Sequence, residues 1–272
     1  MTRIKNFFRF KFIALCNKLV KHKSLNIGGG PNFAKIGWYN LEAEVGPGNG
    51  TSFLLTPDCK FPITSASLKV VYSSHNLEHL DEETVKRVLL ESYRVLGPDG
   101  ILVIKIPDFE KVLEAVRLKD GAFFKGWNIE KIAHTWKYRG VPDNLNYRAA
   151  MIFCGIWNKE FNSPFASKKD KITSNKAYHG PPMVEESFLE KLFSSNSPSF
   201  IAKQLRQYVI DQHMDFSFNH QNAWSRSELE NELNQAGLKV VTFDKSSIIK
   251  QCKNIPKIDN MKEISLYCLA KK

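Results

Sequence analysis

Apolar positions along the chain follow two rhythms. Ile4, Phe8, Phe12, Leu15 and Leu19 recur at three- and four-residue spacing, which places them on one face of a helix. From Ser24 onward, short aliphatic runs alternate with helical stretches. That alternation predicts an α/β fold: a doubly wound, mostly parallel sheet with helices on both faces. Ser24–Ile27 reads as a first strand running into Gly28-Gly29-Gly30, and 37–42 as a second that closes on Glu42. Leu68–Ser73 is the next apolar run. Asp81 is the predicted N-cap of a helix whose face is Val85, Val88, Leu89 and Leu96, stopped by the turn Gly97-Pro98-Asp99-Gly100. Ile101–Ile106 is almost continuously aliphatic, hence a buried strand, and ends at Pro107-Asp108.

Residues 109–223 lose this rhythm. They carry Trp127, Trp136, Trp157 and Tyr178 and the loop chemistry of Gly180-Pro181-Pro182, so they read as a mainly helical inserted cap. Their aromatic rings serve first as the small core of that insertion, and second as a stacking surface for a sugar, a base or another flat acceptor. Alternation then returns. Ser225 and Glu228 have the spacing of a capping box, Leu229 and Leu233 carry the helix, Gly237 ends it, and Leu238–Phe243 and Ile264–Ala270 read as strands. The predicted organisation is an N-terminal helix (1–23), a core (24–108 with 224–272) and the cap (109–223).

Composition narrows the classes. With 43% hydrophobic residues in 272, the chain can bury a real core. No run approaches the roughly 18–20 apolar residues of a bilayer span. The basic start is broken by charges too often to form the apolar core of a signal peptide. Cys16, Cys59, Cys154, Cys252 and Cys268 are odd in number and scattered, with no CxxC pair, so neither a disulfide framework nor a cysteine zinc site is indicated, and a reducing cytoplasm is the simplest compartment. The net charge of +11 sits unevenly: residues 1–23 hold seven basic residues and no acid, leaving only +4 for the rest. That distribution argues against nucleic acid as partner of the body. The basic helix has two roles open to it: packing against the domain or a second subunit, which is the expected one, and peripheral contact with an anionic membrane. The oligomeric state stays open.

A glycine turn after a first strand lets the backbone approach a ligand closely, and an acid at the tip of the second strand can accept hydrogen bonds from ribose hydroxyls. Gly28, Gly30 and Glu42 therefore point to a nucleoside ligand, with a plain tight turn as the alternative. Asn32 and Phe33 stand where a dinucleotide fingerprint has its third glycine, and Glu42 follows sooner than the usual ~20 residues, so NAD is disfavoured.

Several segments, in order, then resemble the class I S-adenosylmethionine (SAM)-dependent methyltransferases, in particular the Methyltransf_11-like subgroup often associated with surface sugars and lipids. Leu25-Asn26-Ile27-Gly28-Gly29-Gly30, with 37–42, resembles their first motif and second strand. Ser73-Ser74-His75-Asn76-Leu77-Glu78-His79-Leu80 resembles their SSHxLEHL segment. Residues 91–100 resemble their ExxRVLxPGG turn, and Ile106-Pro107-Asp108 their VPD strand end. The resemblance covers about residues 24–108, with a weaker echo in 224–243.

It implies a Rossmann-like, seven-stranded sheet, in which Asn26 and the Gly28-Gly29-Gly30 turn line the methionine end of SAM and Glu42 holds the ribose. Family members often have an acid where Asn26 stands, so the contact to the ligand's ammonium group is altered here. Asp58 is placed to reach the adenine amine or to be an exposed turn residue. Ser73, Ser74 and His75 would contact SAM at the strand end. Methyl transfer needs in-line alignment in a dry site, and an oxygen acceptor gains from a base. The candidates are His75, His179, His220 and Asp108, while His79 is expected to fasten the following helix start. No group of His, Asp or Glu shows metal-ligand spacing, so transfer without a metal is expected. The expected reaction is SAM-dependent methylation of a small or medium-sized acceptor, such as a saccharide or lipid-linked sugar hydroxyl. Methylation of RNA and a non-catalytic SAM-fold scaffold are the alternatives.

Overall fold

The computed structural model describes residues 12–13, 15–16, 19–29, 33, 35–42, 52–56, 58–127, 144–154, 184–211 and 220–272. Its strands are β1 (Ser24–Ile27), β2 (Trp38–Glu42), β3 (Ser52–Leu54), β4 (Leu68–Ser74), β5 (Leu96–Pro107), β6 (Lys239–Thr242) and β7 (Ser265–Lys271). They form one seven-stranded sheet in the order β3-β2-β1-β4-β5-β7-β6. Pairing is parallel from β3 through β5 and antiparallel where β7 slots between β5 and β6. The order reverses at β1, with β2 on one side and β4 on the other, and such a switch point opens a crevice at the carboxyl ends of the strands.

Successive side chains feed two cores. Leu25, Ile27, Val71, Leu102 and Ile104 meet Val85, Val88 and Leu89 of α1 (Glu82–Val95) and Leu229 and Leu233 of α6 (Arg226–Gln235) on one face. Tyr72, Val103, Tyr267 and Leu269 meet Ile248 of α7 (Lys245–Gln251) and Ile255 on the other. Each such fully buried aliphatic side chain contributes about 1.5–3 kcal/mol. Helix ends follow local chemistry. Asp81 accepts from the Thr84 amide, Ser225 and Glu228 form the reciprocal capping box, and Gly237 sits at φ +82 after α6.

The insertion is helical where described: α2 (Phe109–Arg117), the 3-10 turn Phe123–Trp127, α3 (Leu145–Cys154), α4 (Glu186–Ser195) and α5 (Pro198–Asp211). It has its own core, in which Phe109, Tyr147, Phe153, Leu189, Phe193 and Leu205 are buried together.

Three elements depart from the sequence expectation. The turn Gly97–Gly100 lies inside β5 as an excursion: Leu68 pairs with Leu96 and Val70 with Ile101, so the ladder resumes after the glycines. β3 and α7 were not expected, one too short to show a period, the other presenting a single buried residue, Ile248, to the core. At the N-terminus, Phe12, Leu15 and Leu19 of the apolar stripe are exposed, while Ile13, which falls off the stripe, is buried. Residues 1–11 lie outside the described part. No helix among the described residues is long and apolar enough to cross a membrane.

Candidate active site

The carboxyl ends of β1, β2 and β4 gather most of the residues singled out in the sequence. Gly28 follows β1 at φ +72 and donates its amide to Leu41 O at 2.8 Å, which ties the glycine turn to the end of β2. A Cβ on Gly28 would lie 2.2 Å from the Asn76 side chain, and one on Gly29 would lie 2.0 Å from Asn26 Nδ2 and 2.7 Å from Asn40 Oδ1. Only glycine lets the backbone lie this close. Beneath it runs a buried chain of hydrogen bonds. Asn26 Nδ2 donates to Asn40 Oδ1 (3.1 Å) and Asn40 Nδ2 donates to Glu42 Oε1 (2.6 Å). The glycine turn and the β2 acid are thus one unit, with Asn40 as the link that the sequence reading missed.

Ser73 is buried at the end of β4, paired in register with Ile27 and Ile104, and Ser74 follows half-buried. Ser73 Oγ has no hydrogen-bond partner among the described residues. His75 comes next at φ +49, its amide donating to Lys105 O. Its Nε2 lies 2.8 Å from Ser265 Oγ, and its Nδ1 lies 3.4 Å from Glu78 Oε1.

Glu78 and His79 occupy the 3-10 turn Leu77–His79. His220 returns from the far side of the insertion to stand edge-on to the His79 ring at 4.8 Å between centroids. It is buried, with Nδ1 2.7 Å from Ile152 O, and burial lowers its pKa to about 4. For Glu78, burial pushes the pKa up, but the contact with His75 and the charges of His75, His220 and His79 outweigh it, so the group lies below its ordinary value. Glu78, His79 and His220 carry metal-capable atoms within 4.8 Å of one another. Glu78 and His79 are adjacent and His220 is remote from both, which gives no metal-ligand spacing in the sequence. The expectation of a metal-free site rested on spacing alone.

Asp108 is buried at the end of β5 as the N-cap of α2, where Oδ1 accepts from the Lys111 amide at 3.2 Å. Burial raises its pKa, partly offset by that hydrogen bond and the Lys111 charge. Asp58 is an exposed turn residue whose Oδ1 accepts from the Thr56 hydroxyl, a bond that holds its pKa down. Lys105, unremarked in the sequence, is buried in β5 with Nζ donating to Asn260 O at 2.5 Å, and burial lowers its pKa to about 8. Gly30, His179, Trp136, Trp157, Tyr178 and the 180–182 loop lie outside the described residues.

Residues 37–104 match the methyltransferase-domain family. No curated protein matches the chain. Among solved structures, it is similar to a SAM-dependent methyltransferase of Thermotoga maritima at 21% identity and a TM-score of 0.26. That likeness covers 39% of this chain and spans only 59% of the other. A SAM-dependent methyltransferase of Mesorhizobium loti is 11% identical, with 97% of this chain and 96% of that one covered and a TM-score of 0.41. One from Archaeoglobus fulgidus is 13% identical, with 100% and 95% covered and a TM-score of 0.39. The matched segment, a methyltransferase domain by its family, holds β2 through most of β5.

Proposed function

We propose that this methyltransferase domain moves the methyl group of SAM, directly and in line, to a hydroxyl of a saccharide or lipid-linked sugar. The observation that carries the cofactor end is the glycine turn resting on the Asn26–Asn40–Glu42 chain at the sheet's carboxyl edge. Asn26, Gly28 and Gly29 would hold the amino-acid end of the cofactor, and Glu42 its ribose. Asn40 fixes the Glu42 carboxylate from behind, so that little rotamer freedom is lost when the ribose arrives. Ser73 and Ser74 would border the sulfonium. Bound SAM supplies an electrophilic methyl: the acceptor oxygen bonds that carbon as the C–S electron pair returns to sulfur, and the acceptor's proton leaves.

The described base candidates are held by the protein. His75 Nε2 is bonded to Ser265, His220 Nδ1 to Ile152 O, and Asp108 Oδ1 to the α2 amide. Rate enhancement would therefore come mainly from alignment and exclusion of water, for which effective molarities of about 10⁵–10⁸ M are available. The insertion 109–223 would cover the acceptor. The sugar class is supported by the Methyltransf_11-like resemblance. The exposed Phe12, Leu15 and Leu19 beside a basic tract support contact with an anionic lipid surface. Calorimetry with SAM and its demethylated product tests the cofactor site, and binding of neither would end the reading. Transfer of labelled methyl from SAM to lipid-linked sugars, extracted beside RNA and protein fractions, tests the acceptor. Label in RNA alone would replace it. Flotation with phosphatidylglycerol vesicles should bring the chain up, and residues 24–272 alone should stay down; equal flotation of both would refute the lipid contact.

A further inference from the structure

Glu78 is fully enclosed, and neither of its carboxylate oxygens has a hydrogen-bond partner among the described residues. A carboxylate removed from water without compensation is strongly disfavoured, so buried ones are paired or bind a cation. What surrounds this one is imidazole. His75 Nδ1 stands 3.4 Å from Oε1, too poorly directed to count as a hydrogen bond, and His79 and His220 close the other sides.

Outer partners fix the hydrogens on two of these rings. A carbonyl can only accept, so His220 Nδ1 donates to Ile152 O, and Nε2 is the nitrogen left to face the cluster. The Ser265 hydroxyl gives its one hydrogen to Met261 O at 2.7 Å, so His75 Nε2 donates to Ser265 Oγ and Nδ1 faces Glu78. With the outer hydrogens so placed, the inner nitrogens carry lone pairs whenever the rings are neutral, and they face a carboxylate that lacks hydrogen-bond donors among the described residues. Electron-rich atoms converging on an anion repel one another unless a cation stands among them. Of the rings beside the carboxylate in the metal-capable group, His220 has its outer N–H pinned by Ile152 O, the support that metal-ligating histidines have.

We propose that Glu78, His79 and His220 bind one divalent transition-metal ion of the zinc class. Two imidazoles and one carboxylate suit zinc and its neighbours, whereas calcium and magnesium take oxygen ligands. Bonds of about 2.0–2.2 Å require the three atoms to draw in by roughly 1 Å, which His79, half-buried on a short turn, can supply. Three protein ligands leave a coordination position for water or an acceptor oxygen. The turn begins at Asn76, whose side chain lies against Gly28, so the ion would stand beside the cofactor's cradle. Its part in methyl transfer rests on the function proposed above; the binding of the ion does not.

The test uses the full chain stripped with EDTA. Zn²⁺ is titrated in competition with a chromophoric chelator, and Co²⁺ is followed by its visible absorption. One Zn²⁺ per chain is expected, weakened at least about 100-fold in Glu78→Gln and in His220→Asn, with loss of the Co²⁺ band. Asparagine keeps a donor for Ile152 O. His79→Asn, at a half-buried position, serves if either buried variant fails to fold by circular dichroism. An apo chain that takes up no Zn²⁺, or variants that bind as the parent does, would overturn the site. SAM binding is measured separately: a chain that binds SAM but no Zn²⁺ loses only this inference, and one that binds Zn²⁺ but no SAM loses only the proposed function.

Discussion

Replacing Gly28 by alanine, with Gly37→Ala as its partner, separates backbone strain from close approach. Both glycines have positive φ, +72 and +79, so either alanine adopts a left-handed conformation costing about 1–2 kcal/mol. Around Gly37 a new Cβ meets nothing within 4 Å, and the cost stops there. At Gly28 the Cβ would lie 2.2 Å from Asn76 Cγ and Nδ2 and 2.6 Å from its Cβ, so the whole side chain must move, not its tip. Overpacking of this kind adds about 1–3 kcal/mol, which brings Gly28→Ala to about 2–5 kcal/mol. Urea denaturation reads the stability difference, and calorimetry reads SAM affinity. Gly37→Ala should leave affinity unchanged, while Gly28→Ala should weaken it roughly tenfold or more, the 1.4 kcal/mol equivalent of a displaced loop. Equal stability losses in the two variants, with unchanged SAM affinity in both, would refute the close approach and its link to the cofactor.

Glu42→Ala should weaken SAM binding by about 1–3 kcal/mol through loss of the ribose contacts; calorimetry showing parental affinity would remove Glu42 from the site. Ser225→Ala breaks the capping box of α6 and should cost about 1 kcal/mol in urea denaturation, and no measurable loss would show that the bond to Glu228 contributes nothing. Lys105 makes stability depend on pH. Its pKa falls from 10.5 to about 8 on folding, so between those values the unfolded chain binds more protons and stability rises with pH. The burial penalty is fully present below pH 8 and is relieved, by an order of 1–3 kcal/mol, toward pH 10.5. Lys105→Met should flatten that slope; parallel slopes for parent and variant would show that Lys105 is not the source.

What the sequence discloses is what neighbours along the chain decide. The Asp81 cap, the Ser225–Glu228 box and the bounds of β1 depend on a few adjacent residues, and they stand as expected. The α/β alternation was legible for the same reason. β3 was not: Ser52-Phe53-Leu54 is a strand because β2 lies beside it in register, a fact no three-residue pattern carries. The Gly97–Gly100 turn looked like a boundary because glycine and proline stop helices, yet β4 recaptures the chain on both sides of it. Within the site, Gly28 and Glu42 could be singled out singly, whereas Asn40 gains its meaning only from Asn26 opposite. Lys105 was hidden in an aliphatic run, its amine satisfied by the Asn260 carbonyl from a remote loop. The Glu78, His79 and His220 cluster is the extreme case, since His220 lies about 140 residues beyond the adjacent Glu78 and His79 in sequence and beside them in space.

β7 is the seam of the sheet. Among the described residues, β6 pairs with no other strand, and β5 has no other neighbour on that side. A protease nick between Cys252 and Ile264 would therefore cut the covalent chain while two ladders still clasped the severed strand. Offered separately as a peptide, that strand would be a candidate for reassembly. Because it carries Ser265, the group that steers the His75 ring, its return should restore the chemistry of the far edge along with the sheet's outline.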